Sequence, residues 1–220
     1  MHKEATLVKK SPQTFEFNID DPVQAIEKCY ELGWSDGLPV VPPTVDRVND
    51  FLAFTNKSPD EVVGTIPERR REVTVQTIAA NAVMAGCLPE YLPLIITAAE
   101  AMLDPLFNII GPSSSLGGAG ILTIINGPIT QELNINSGSN LFGPGNRANA
   151  TIGRAFQLII RNVETPLKNY RNPPSKVTRV QTIFKHSGFR FNPPSPNQSF
   201  SKFIKHLVVE RNRIVFKIYD

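Results

Sequence analysis

TVQTIAANAVMAGCLPEYLPLIITAAEAMLDP, residues 74–105, decides how this chain folds. Thr74 can cap a helix whose Val75, Ile78, Ala82 and Val83 share one stripe, and Gly86 is a natural terminator. Pro89 suits a first helical position, and the run behind it is apolar nearly all round, the pattern of a helix buried in a core or between subunits. Asp104-Pro105 stops it. FNIIG (107–111) and AGILTIIN (119–126) are short Ile-rich runs flanked by Gly and Pro, which predicts two buried strands around the Gly-rich loop GPSSSLGGAG. A further helix is expected over about 148–163, with Ile152, Phe156, Ile159 and Val163 on its apolar face. The expected class is α/β or α+β: a single mixed domain with several helices packed on a small sheet.

Upstream, DPVQAIEKCYELGW (21–34) predicts a helix with Asp21 as N-cap, Pro22 in the first turn and Gly33 at the end. GLPVVPPT (37–44) cannot be helical, because each Pro pushes its predecessor to extended geometry, so it is expected to cross the surface as a stiff segment. Thr44 is expected to cap a second helix over roughly 45–55. Ser58-Pro59-Asp60-Glu61 reads as a capping box opening a short third one. Downstream of Thr165, YRNPPSK and FRFNPPSPNQSF are Pro- and Asn-rich, and only KFIKHLVVERNRIVFKIYD alternates in a way that predicts a terminal strand or short hairpin. The expected organisation is a flexible segment over 1–20, one core domain over 21–164, and a basic, irregular, poorly packed tail over 165–220.

Composition narrows the classes. The 220 residues carry a net charge of +3, 41% hydrophobic residues and two Cys, enough for one core without a disulfide framework. Residues 1–164 hold 12 Lys and Arg against 18 Asp and Glu, whereas residues 165–220 hold 11 against 2. No run reaches the roughly 18 apolar residues of a membrane span, and MHKEATLVKKSPQ has no apolar signal core, so no membrane contact and a cytoplasmic location are expected. The basic tail attracts nucleic acid only unspecifically, since no RNP, KH, zinc-finger or helix-turn-helix pattern accompanies it.

His2, His186 and His206 are the only histidines and lie outside 20–164, so that stretch holds no Ser-His-Asp triad, Cys-His pair or His-based metal site. Cys87 stands between one helix end and the next helix start, where free N–H groups and the helix dipole lower a thiol pKa. Glu90 in the same turn opposes that, and a buried hydrophobic thiol is the other reading. Cys29 reads as core. GPGNRANATIGR (143–154) puts Gly143, Gly145, Asn149 and Arg147 at a helix start whose backbone donors suit a phosphate or carboxylate; an Asn/Gly-rich structural cap fits the same residues. It fails as a dinucleotide fingerprint, because no apolar strand precedes it and Pro144 stiffens the turn. Arg147, Arg154 and Arg161 recur every seven residues, and for Arg154 and Arg161 a solvated face is expected. Arg69-Arg70-Arg71 between Glu68 and Glu72 reads as a salted surface turn from which Arg69 or Arg70 could reach a carboxylate. Asp36 in SDG is a candidate base, though first of all a turn former.

Together, GWSDGLPVVPPT (33–44), GTIPERRREVTV (64–75), NAVMAGCLPEYLP (81–93), EAMLDPLFNI (100–109), INGP (125–128) and INSGSNLFGPGNRANATIGRA (135–155) resemble one bacterial family. It is the family associated with UGSC-type (seleno)cysteine proteins, in which such segments occur fused to, or encoded near, a domain carrying a U/C-Gly-Ser-Cys motif. The resemblance runs in order across residues 22–163. It implies site residues at Trp34, Asp36, Glu68, Asn81, Cys87, Asn136, Ser137, Asn140, Gly143, Gly145, Arg147 and Asn149. The chain lacks any C-G-S-C segment, so redox activity belonging to that domain does not carry over. The resemblance stops near Thr165, where the tail reads as a truncation or frame change.

Two functions are expected from this. One is a cytosolic enzyme or enzyme component, of thiol-dependent oxidoreductase type, acting on a small anionic or thiol-containing substrate. Cys87 would be its thiolate, Asp36 and Glu68 its carboxylates, and the loop 136–149 its anion site, with Trp34, Arg69 and Asn81 among the binding residues. The other is a non-catalytic, homo-oligomeric subunit whose apolar helix 89–103 forms an interface and which supports a (seleno)cysteine partner protein. No cofactor is named by the sequence. A buried Cys87 favours the second function and an accessible one the first.

Overall fold

Asp21 caps the first helix: its carboxylate accepts the Val23 N–H at 3.0 Å and starts α1 (Pro22–Glu31), which ends before Gly33 at φ +74°. Thr44 caps α2 (Val45–Leu52) through the Arg47 N–H. These details belong to a computed structural model that describes residues 17, 19–66, 71–109, 121–164, 183–185, 206–210 and 213–217, the last three segments as backbone. Between α1 and α2 no helix forms, as the prolines dictate. The segment does more than cross the surface, however: Val40 is buried, and the Val41 N–H donates to the Met84 carbonyl.

The capping box at Ser58 opens no helix. The Glu61 N–H bonds to the Ser58 carbonyl in a turn, and the β-branched run that follows becomes β1 (Val62–Ile66), paired antiparallel with β2 (Arg71–Thr74). Isolated β-branched residues next to Gly fit a pleated strand better than a short helix. The ladder slips between Val62 and Gly64, where the backbone presses onto Leu103; a Cβ on Gly64 would lie 2.6 Å from the Leu103 Cβ.

Thr74 then caps α3 (Val75–Ala85) through the Thr77 N–H, and Gly86 at φ +83° ends it. A 3₁₀ turn at Pro89–Tyr91 leads into α4 (Leu92–Met102). Leu92, Ile95, Ala98, Ala99 and Met102 of α4 are all closed off within this one chain, so of the two readings of the nearly all-round apolar pattern the core helix accounts for these residues. Of the two expected strands, AGILTIIN supplies β3 (Leu122–Ile125). FNIIG supplies none over the part described: Phe107 closes a 3₁₀ turn capped by Asp104, and Asn108 takes φ +49°, which no strand tolerates. A short helix not foreseen, α5 (Ile129–Glu132), follows β3 and is succeeded by α6 (Arg147–Glu164).

α3 and α6 pack together over most of α3, with α2 and α4 against the other sides of α3. Ile78, Leu92, Ile95, Ile152, Phe156, Leu158 and Ile159 fill the space between them, all essentially without solvent exposure. Beside the helices lies a four-stranded sheet in the order β4-β3-β5-β6, with β4 (Ile183–Lys185), β5 (His206–Glu210) and β6 (Arg213–Lys217). β3 runs parallel to both neighbours, while β5 and β6 pair antiparallel, the arrangement the terminal alternation predicts. α4 lies against β5 and β6. The class is mixed α/β. Among the described residues no helix is long and apolar enough to cross a membrane.

Candidate functional site

The sequence candidates converge on the N-terminal half of α6. Arg147, Thr151 and Arg154 are spaced four and three apart, so they share one face of that helix, and the face meets the corner between α3 and α4. Arg147 is exposed, yet its Nε donates to the Gly86 carbonyl at 3.0 Å and its Nη2 to the Cys87 carbonyl at 3.3 Å. Carbonyls at a helix C-terminus lack intrahelical partners, and a guanidinium complements both their hydrogen-bonding need and the negative end of the dipole. Arg147 therefore latches α6 to the end of α3.

Cys87 lies inside that corner, with only 5% of its surface exposed. Burial pushes its thiol up to about 12; the Thr151 side chain and the positive charges of Arg147 and Arg154 pull the other way without offsetting it. The expected thiolate is a protonated, buried thiol at neutral pH, because desolvation outweighs the helix-start setting that suggested activation. Cys29, likewise buried, is also shifted upward by burial. Tyr91 is buried beside the corner, and burial together with the Glu90 charge raises its hydroxyl.

Asp36 and Arg154 are each other's partners. Arg154 Nε donates to Asp36 Oδ2 at 2.9 Å and Nη2 to Oδ1 at 2.8 Å, and Nη2 also reaches the carbonyls of Leu38 and Pro39. Burial alone would raise the Asp36 carboxyl, but the Arg154 hydrogen bonds and charge, with the Leu38 N–H, hold it below the usual carboxylate range. A carboxylate so held is a poor base. Its role is to tie the Pro-rich segment to α6, which also corrects the expectation of a solvated Arg154; Arg161 is half-buried rather than solvated.

The asparagines form a second knot. Asn149, buried on α6, accepts the Asn136 N–H at 2.9 Å and donates through Nδ2 to the carbonyls of Asn136 and Leu141. Asn146 caps the helix by accepting the Asn149 N–H, while its own amide reaches the Asn134 carbonyl. Asn136 accepts the Gly138 N–H and donates to the Ser139 carbonyl. Asn140, at φ +59°, donates to the Pro144 carbonyl, and its carbonyl accepts the Gly143 N–H. A Cβ on Gly143 would overlap the Asn140 amide and displace it from the Pro144 carbonyl. Gly145 takes φ +113° in the same loop. The backbone donors of Asn136, Gly138, Gly143 and Asn149 are thus satisfied inside the loop, as a structural cap requires. Ser137 sits half-buried among them.

Asn81 lies apart from this loop. Buried on α3, it donates to the Thr77 carbonyl and accepts the Asn162 amide at 2.7 Å, and Asn162 also donates to the Trp34 carbonyl. That bridge joins α3, α6 and the end of α1; Trp34 itself is half-buried against the core. The family resemblance implied Asn81 and Trp34 but missed Asn162, which lies just before the end of the matched stretch, and Thr151, which lies inside the 135–155 block without being singled out. Glu68 and Arg69 lie outside the described residues. Among the described residues no group of three His, Cys, Asp or Glu side chains is placed to hold a metal ion. Comparisons of the chain with protein-family models, with curated proteins and with solved structures find no match.

Proposed function

We propose that this chain is a non-catalytic subunit that assembles with copies of itself and supports a partner protein carrying the reactive (seleno)thiol. The observation that carries this reading is Cys87: it is buried in the α3–α4 corner and beneath the Arg147 latch, with only 5% of its surface left for a substrate to reach. The other chemical candidates support it, since Asp36 is held by Arg154 and the 136–149 amides hold one another. The thiol-enzyme reading requires the corner to open before any step. The resemblance to the UGSC-associated family fits a supporting role, because the motif that names the family is missing here. Two free, buried thiols suit a reducing compartment, and we place the protein in the cytoplasm.

With α4 closed off inside the chain, assembly falls to exposed apolar side chains such as Leu106, Phe54 and Phe142. The test is alkylation of each Cys in the native chain against pH, with Cys29→Ser isolating Cys87. Cys87 is expected to label only on unfolding. Rapid labelling with a midpoint well below the ~8.5 of a free thiol would overturn the proposal in favour of a thiol enzyme. In parallel, light scattering is expected to give a native mass above the 24.3 kDa of one chain; a monomer at all concentrations removes the self-assembly.

A further inference from the structure

The block INGP, Ile125 to Pro128, takes no part in the α6 knots, yet it contains the chain's single Asn-Gly pair, Asn126-Gly127. An Asn side-chain amide is attacked by the backbone nitrogen of the next residue when that residue carries no Cβ to block the approach and the amide is free to turn. Both conditions hold here. Gly127 is exposed at φ +106°, and a Cβ built on it would meet nothing within 4 Å, so the space around the pair is open. The Asn126 amide makes no hydrogen bond among the described residues, whereas those of Asn81, Asn136, Asn140, Asn146, Asn149 and Asn162 are all engaged. The Gly127 carbonyl is pinned by the Thr130 N–H and hydroxyl, which fixes the far side of the pair and leaves its nitrogen free to attack.

We propose that Asn126 is a site of spontaneous, non-enzymatic deamidation. The Gly127 nitrogen loses its proton to solvent base and bonds to Asn126 Cγ; the bond from Cγ to the amide nitrogen breaks, and ammonia leaves with a proton from water. Water then opens the resulting five-membered imide at either carbonyl, giving aspartate or isoaspartate. No oxidant or cofactor enters. Two comparable pairs in the chain are restrained: Asp36-Gly37 has both carboxylate oxygens on Arg154, and Asn136-Ser137 has its amide tied at both ends. The product carries one more negative charge at the C-terminal end of β3, next to the start of α5. The isoaspartate form also adds a methylene to the main chain where the strand leaves its parallel neighbours.

The test ages the full chain at neutral and mildly alkaline pH, with a urea-unfolded sample alongside, and reads isoelectric focusing and peptide mass maps. An acidic isoform is expected to grow with time and with pH, to map to Asn126 as a mixture of aspartate and isoaspartate, and to disappear in Asn126→Gln, whose longer side chain disfavours the ring. Conversion in the unfolded sample but not in the folded chain overturns the proposal, as does an acidic isoform that persists in Asn126→Gln. Aspartate without isoaspartate overturns the imide route.

Discussion

Arg154→Met removes the guanidinium while keeping most of the side-chain stem, so it isolates the clamp between Asp36 and α6. Four hydrogen bonds go with it: two to the Asp36 carboxylate and two to the Leu38 and Pro39 carbonyls. Exposed ion pairs contribute about 0–1 kcal/mol, whereas stripping one partner from a fully buried pair costs about 3–5 kcal/mol. The two side chains keep 21% and 17% of their surface exposed, nearer the buried limit, which puts the expected loss at about 2–3 kcal/mol. For a chain of this size that is a fall in Tm of about 4–12 °C. Asp36→Asn is expected to cost less, about 1–2 kcal/mol, and the two changes together to show coupling of about 1 kcal/mol or more. The pH dependence has a definite sign. Asp36 has a folded pKa below its unfolded value, so its contribution is present above about 3.9 and is lost as pH falls through the folded value. The gap between the parent chain and Arg154→Met therefore narrows in acid. Urea unfolding followed by circular dichroism, at neutral pH and at about pH 3, reads all of this. A loss under about 0.5 kcal/mol, absent coupling, or a gap unchanged in acid would refute the clamp.

Asn149→Ala takes the amide from three bonds that close the 134–149 loop, and is expected to cost about 2–4 kcal/mol and raise amide exchange at Asn136; unchanged protection there refutes the knot. Thr123 is buried on β3 and its hydroxyl finds no partner among the described residues, so Thr123→Val is expected to stabilise the chain by about 1 kcal/mol in thermal unfolding, and a loss of stability counts against that burial. Gly86→Ala forces a Cβ into left-handed backbone at the end of α3 and is expected to cost about 1–2 kcal/mol, read as a lower urea midpoint with the slope unchanged.

The helices were legible because their signals are local. Asp21, Thr44 and Thr74 cap, Gly33 and Gly86 terminate, and the Ile152–Val163 stripe buries as its spacing requires. The β1–β2 hairpin was not, because β1 alternates poorly between exposed and buried sides and a capping-box pattern stands directly before it. At Ser58 local propensity competed with pairing to β2, and pairing won. The site divides the same way. Asn-rich spacing fitted an anion site and a structural cap alike, because which carbonyl each amide finds depends on contacts up to about a dozen residues away. The partner of Arg154 lies 118 positions back in the chain, so periodicity alone read it as solvated. For Cys87 the helix-start rule and the buried-thiol reading stood side by side in the sequence, and what separates them, burial, is a property of the assembled corner.

β3 also sets a timetable for synthesis. Its Ile125 is made long before Val209, the residue it lies beside in β5, about 84 positions later. At ~5–20 residues per second a ribosome needs roughly 4–17 s to cover that distance. Until Lys185 of β4 is made, about 60 positions after Ile125, the Ile-rich segment has neither of its parallel neighbours, and until Val209 it lacks one of them, so its ladder groups are open to any other nascent strand. The yield of folded protein should therefore respond to translation speed between Asn126 and Val209 and to holdase chaperones, far more than to translation speed while α1 to α4 are being made.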